Sequence, residues 1–340
     1  MHTSRSARDA GRLAGDALAG TVRSIGRIHL AISRRTFDAV GPPAAPVRAV
    51  HDGMTAGVYA IVAGAHHVAP RAGAIAADAR RARRKSPASD ASEASSSRSE
   101  RVVGVLNGLK GDLLSADYGD LAFPMALRDH VNGGDVEPTV DGIARAYPAA
   151  TGRIAVFVHG LCETDRSWWD GATKQHDDPD VSFGTLLEAD LGVTPAYLRY
   201  NSGLPIADNA LRLADLLEEV VAAWPVAVDE VALIGHSLGG LVVRGALHRA
   251  DVDQHRWPST VGHVVCLGTP HLGAPLERNV HRLVPMLDRV PETKPLADFL
   301  RDRSAGVKDL RHGVFANDGC GESGPRREVP CVDGVAYHVV

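Results

Sequence analysis

The sequence predicts an α/β fold, a doubly wound and mostly parallel sheet behind an N-terminal helical segment, and three observations carry that prediction. From about residue 150 onward, short apolar runs of strand length alternate with longer runs of helical periodicity. That alternation is what a parallel sheet covered on both faces requires. Residues 86–100 hold, apart from Pro87, no apolar side chain larger than alanine and divide this pattern from what precedes it. Charge divides at the same place: residues 1–100 carry 15 basic and 8 acidic side chains, a balance of +7, and residues 101–340 carry 22 and 33, a balance of −11.

Three segments follow: a helical segment over 1–85, a Ser-rich linker over 86–100 and an α/β core over 101–340. The 340 residues allow one large or two modest domains. A hydrophobic content of 44% with 23% charged residues excludes a wholly disordered or fibrous chain. The net charge of −4 offers no bulk attraction to nucleic acid. Arginine far outnumbers lysine, which with the alanine and glycine content reads as a GC-rich bacterial genome.

In the first segment Leu13, Ala17 and Val22, then Ile25, Ile28, Ile32 and Phe37, recur at three- and four-residue steps, so a helix is expected over residues 4–40. Gly41-Pro42-Pro43 should stop it. A second helix is expected over Val47–Val62 and a third toward the basic cluster Arg80–Lys85. The uncharged run from Gly53 to Pro70 approaches membrane-span length, but its glycines and the His66-His67 pair favour a packed helix. The first 35 residues lack the apolar stretch of an export signal. A cytoplasmic location is expected, with peripheral membrane contact through the basic N-terminal helices as its extension. The Ser-rich stretch cannot bury a core and reads as a disordered tether.

In the core, a helix is expected over Val102–Leu114, an extended segment over Leu121–Leu127 and a short helix over Pro138–Tyr147. Strands follow at Ile154–Val158, Ala196–Tyr200, Val231–Ile234 and Val261–Leu267, with helices at Ile206–Ala223 and Leu238–Ala250. Helices over Glu277–Val290 and Leu296–Asp302 and a loop over Arg311–Asp333 lead to a last strand, Gly334–Val340. Cys266 lies in an apolar run and should be a buried thiol, whereas Cys320 and Cys331 flank a loop and are as consistent with a pair as with free thiols. The cysteine spacings fit no zinc pattern.

The chemistry concentrates in Gly235-His236-Ser237-Leu238-Gly239, a G-x-S-x-G set between a strand and a helix. Such spacing calls for a very sharp bend that holds the serine in a strained backbone conformation with its hydroxyl above the strand ends. Gly235 and Gly239 are required because a Cβ at either would strike the opposing backbone. The N-terminus of the following helix aims peptide N–H groups at developing negative charge. One oxyanion donor is then the backbone N–H of Leu238. The second should come from the loop after an earlier strand, where His159-Gly160-Leu161 places Leu161. Trp168 and Trp169 either wall an acyl pocket or pack this loop.

These segments, with Gly268-Thr269-Pro270-His271-Leu272-Gly273, resemble the α/β-hydrolases of the lipase/esterase group, and most of all the bacterial relatives of the GPI inositol-deacylase-like domain. The resemblance covers about residues 150–280. It implies a serine hydrolase of carboxylic esters that works through an acyl-serine intermediate, with Ser237 as nucleophile, an acyl ester or lipid as substrate and no cofactor or metal. In such lipases the Thr-Pro-His stretch shapes the pocket and the catalytic histidine lies near the C-terminus, so His271 is expected to be structural. The acid should follow the last strand and the histidine one strand later, yet the sequence stops at Val340. Asp309, Asp318 and Asp333 precede that strand, and His312 and His338 stand in the wrong order. The expectation is a truncated, weakened hydrolase, or a rearranged layout in which His312 or His271 is the base. A catalytically inactive hydrolase-like binding protein and an acyltransferase are the rival readings.

Overall fold

The computed structural model describes residues 2–42, 90–130, 134–178, 181–271, 273, 303–310 and 330–340, with isolated positions between 45 and 63. It forms two compact units: residues 1–93, 115–121 and 278–303, and residues 94–114, 122–277 and 304–340.

In the first unit, helix α1 runs His2–Val40 and ends where the sequence says it should. Gly41 takes φ +84°, which a glycine adopts without a Cβ clash, and its N–H returns to the Phe37 carbonyl at 3.1 Å. Gly26 lies flat against the Tyr59 ring, and His29 Nδ1 meets the Tyr59 hydroxyl at 3.3 Å. Tyr118 hydrogen-bonds Asp16, and Arg12 stacks over its ring at 5.1 Å. The described positions between 45 and 63 are helical, with Ala63 buried. Among the described residues no helix is long and apolar enough to cross a membrane. The expected third helix and the basic cluster Arg80–Lys85 lie outside the described residues.

Helix α2 spans Asp90–Asp117, with a kink at Lys110 (φ −140°, ψ 31°). It includes the second half of the Ser-rich stretch that was expected to be a disordered tether. Alanines and glutamates among the serines tolerate helix, and the Val102–Leu114 stretch expected to be helical continues it.

The second unit is built on six strands: β1 Ala126–Leu127, β2 Arg153–Val158, β3 Thr194–Arg199, β4 Glu230–His236, β5 Val261–Leu267 and β6 Ala336–Val339. Their order is β1-β3-β2-β4-β5-β6, all parallel except the short antiparallel β1. The helices are α3 Val140–Ala146, α4 Ser167–His176, α5 Phe183–Leu191, α6 Ile206–Ala222, α7 Leu238–Val252 and α8 Ala305–Asp309. Alternate strand residues enter two separate cores. Ile154, Val156, Val158, Val231, Leu233, Val264 and Cys266 join the α6/α7 side, while Ala155, Phe157, Tyr197 and Ile234 join Trp168 on the other. Both faces are therefore buried, which is why the strands read as continuous apolar runs.

Most expected boundaries shift by one or two residues, in either direction, while the extended segment expected over Leu121–Leu127 narrows to β1 at Ala126–Leu127. Helices α4 and α5 were not foreseen. The helices expected over Glu277–Val290 and Leu296–Asp302 lie outside the described residues.

Candidate active site at the β4–α7 bend

Strand β3 lies on one side of β2 and β4 on the other. The chain leaves β2 toward β3 and leaves β4 toward β5, in opposite directions. A crevice forms outside the carboxyl ends of parallel strands at such a switch. Here it is bounded by His159-Gly160-Leu161 after β2 and His236-Ser237-Leu238 after β4.

Ser237 has φ +50° and ψ −118°, a conformation costly for any residue with a Cβ. The surroundings impose it. Its N–H is fixed to the Leu267 carbonyl at 2.8 Å as β4 ends, and α7 begins at the very next residue. A chain that turns from strand to helix within one residue brings Gly235 against the first helical turn: a Cβ there would lie 2.5 Å from Gly240 Cα and N. A Cβ on Gly239 would overlap the carbonyl oxygens of Val158 and His159. Both glycines are thus required by close backbone approach, as their spacing predicts.

The first N–H groups of α7 have no intrahelical acceptor. Among the described residues, no protein atom accepts from the backbone N–H of Leu238 or of Leu161. Ser237 is half-buried, and no described side chain hydrogen-bonds its hydroxyl.

His159 is fully buried and stacks on Tyr200 with ring centroids 4.4 Å apart. Its Nδ1–H donates to the Gly160 carbonyl at 2.9 Å, and Nε2 accepts from the Tyr200 N–H at 3.4 Å. The Tyr200 hydroxyl donates to the His159 carbonyl at 2.8 Å. Burial pulls this imidazole down to about 4, so it is neutral and occupied at both nitrogens.

Glu163, which the periodicity of the sequence does not reveal, accepts through Oε2 from the Gly160 N–H at 2.8 Å and pairs with His236 Nδ1 at 3.0 Å. Burial would raise the Glu163 carboxyl, but the His236 and Gly160 hydrogen bonds together hold it below its ordinary value. The same bond to Glu163 raises His236. The usable signal was the three-residue return from Gly160, short enough for a carboxylate to fold back onto the strand-end peptide.

Beside this pair opens an apolar cavity of about 620 Å³, walled by Phe157, Trp168, Phe183, Leu187, Ile234 and Leu267, with His236 and Glu163 also lining it. Trp168 meets Phe157 edge-on at 5.0 Å and forms part of the wall. Trp169 turns away and packs on Tyr197 at 4.3 Å and His130 at 4.2 Å.

The other candidates are engaged elsewhere. His271 Nδ1 accepts from Arg244 at 2.8 Å, and burial together with that guanidinium lowers it. Asp309 accepts from the Ile206 N–H at 2.9 Å, capping α6 where Pro205 offers no side-chain cap. His338 lies within β6 and meets His263 at 3.2 Å. Asp333 sits in an exposed turn. His312, Asp318 and Cys320 lie outside the described residues, while Cys331 is an exposed free thiol and Cys266 a buried one.

Fold and site thus define an α/β protein that presents a half-buried serine on a strand-to-helix bend beside an apolar cavity. Residues 131–316 match the model of a family described as a domain of unknown function, DUF7379. That match spans more than half of the sequence, and the chain belongs to this family. No curated protein matches it. Among solved structures, a lipase-esterase related protein from Clostridium acetobutylicum is similar at 13% identity, over 48% of this chain and 67% of that one, with a TM-score of 0.27.

Proposed function

We propose that the protein is a serine hydrolase of carboxylic esters, with Ser237 as nucleophile and the Leu161 and Leu238 peptide N–H groups as the oxyanion hole. The observation that carries this reading is the Ser237 backbone at φ +50°, ψ −118°. Strain of that size persists only where the surroundings over-determine it, and it clusters where chemistry is done. Attack of Oγ on the ester carbonyl forms the C–O bond and places negative charge on the carbonyl oxygen, to be received by the two N–H donors. Collapse expels the alcohol with its proton and leaves acyl-Ser237. Water then cleaves that ester to return the acid and the free serine. The apolar cavity beside the bend suits the hydrocarbon part of an acyl group.

Ser237 also needs a base to take its proton. The absence of a described side chain on its hydroxyl favours a second reading, a hydrolase-like protein that binds esters without turning them over. A p-nitrophenyl ester assay, quenched in acid and followed by mass spectrometry, separates the two. Hydrolysis beyond the uncatalysed rate, an acyl adduct on the Ser237 peptide and loss of both in Ser237→Ala support the enzyme. Saturable binding with neither turnover nor adduct supports the binding protein.

A further inference from the structure

We infer that Glu163 is a positioning residue: its carboxylate, held at once by the Gly160 peptide and the His236 imidazole, fixes the loop after β2 against the bend that presents Ser237. The inference rests on the reading of Ser237 as nucleophile and Leu161 N–H as an oxyanion donor.

Three groups converge on one point. A Cβ on Gly160 would lie 3.1 Å from Glu163 Oε2, 3.1 Å from His236 Nδ1 and 3.2 Å from Ser237 Cβ. Glu163 thereby ties the loop that carries Leu161 to a strand end 73 residues further along the chain. It also occupies the Gly160 N–H, at 2.8 Å, while the next one, Leu161, has no acceptor among the described residues.

The loop has other holds, since the Gly160 carbonyl accepts from His159 Nδ1 at 2.9 Å and Cys162 packs closely on Gly108 of α2, and Glu163 adds the link to His236. It turns through Cys162 at φ +63°, its own return bond from Glu163 N to Gly160 O is long at 3.4 Å, and Cys162 N donates to Ser202 Oγ at 3.2 Å. An oxyanion donor must stand within a few tenths of an ångström of its place, and a misplacement of about 1 Å costs on the order of 100-fold in rate.

The pair is also sensitive to pH. The charged group on His236 Nδ1 is Glu163, and the other nearby imidazole, His159, is kept neutral by burial. The cavity residues beside the imidazole, Ser167 and Trp168, carry no charge. Glu163 raises His236, so the charge-assisted bond is complete below the His236 pKa and weakens as pH rises through it.

The test is the second-order rate at which a fluorophosphonate labels Ser237 from about pH 5 to 9, in wild type, Glu163→Gln and Glu163→Ala. Glu163→Ala, which frees the loop, should label on the order of 100-fold more slowly. Glu163→Gln keeps an acceptor for Gly160 but loses the charge. It should label about 10-fold more slowly at low pH, with the gap to wild type narrowing above the His236 pKa. A merely structural lesion would scale the profile without changing its shape. If Glu163→Ala does not fold, the isosteric Glu163→Gln decides the matter alone. Wild-type rates and an unchanged profile in Glu163→Gln, with Ser237 still labelling, would overturn the positioning role. Failure of wild type itself to label would instead overturn the reading of Ser237.

Discussion

Gly239 packs against the carbonyl oxygen of Val158 so closely that no side chain fits between them. This contact seats the first turn of α7 on the end of β2 and sets where the Leu238 N–H points. Gly239→Ala should therefore push the helix start away from the strand. Overpacking of this kind costs about 1–3 kcal/mol, and loss of one oxyanion donor about 100-fold in rate. Urea unfolding and fluorophosphonate labelling of the same variant should show both losses together. A labelling rate close to wild type would mean that the Leu238 N–H takes no part.

His159 predicts acid sensitivity. Its ordinary value near 6.5 falls to about 4 in the fold because burial disfavours the charged ring. A depressed folded value means the unfolded chain binds the proton first as pH falls. The contribution is complete above about pH 6.5 and is lost progressively toward pH 4, for a total of about 3 kcal/mol. His130, lowered to about 3 chiefly by burial, acts in the same direction. Urea midpoints measured at pH 7.5 and pH 5 should differ accordingly, and His159→Phe should flatten part of that difference. Replacing a buried group bonded at both nitrogens should also cost about 1–3 kcal/mol at neutral pH.

Filling the cavity should discriminate between acyl chains. Leu187→Trp narrows the space beside Trp168 and Ile234. The predicted effect is about a 10-fold or greater fall in kcat/KM for a p-nitrophenyl octanoate, with little change for the acetate. Equal losses for both esters would place the acyl group somewhere other than this cavity.

Much of this arrangement is legible in the sequence, and particular residues show why. The span Val261–Leu267 is a strand over the residues its apolar run marks. The Gly-x-Ser-x-Gly spacing encodes the bend at Ser237 because two glycines are the chemical requirement of a turn that tight. Helices α4 and α5 were missed because each is short and carries no sustained periodicity. For α5 a capping signal was present: the Ser182 side chain accepts from the Thr185 N–H, the Thr185 side chain returns to the Ser182 N–H, and Gly192 at φ +67° ends the helix. The Glu163–His236 pair was beyond reach for another reason. It joins the loop after β2 to the last residue of β4, which become neighbours only when β2 and β4 align, and periodicity reports which face a residue takes, not which distant segment it meets. In the Ser-rich stretch, the lack of large apolar groups says that it buries no core but does not forbid the helix that begins at Asp90.

The central claim is that Ser237 is a chemically activated nucleophile, and it is tested most directly by incubating the full-length protein with a fluorophosphonate and mapping the adduct by mass spectrometry. The account predicts a single phosphonylated peptide containing Ser237, absent from Ser237→Ala and from heat-unfolded protein. An unmodified Ser237 peptide after prolonged exposure, or equal labelling of native and unfolded chains, would contradict it.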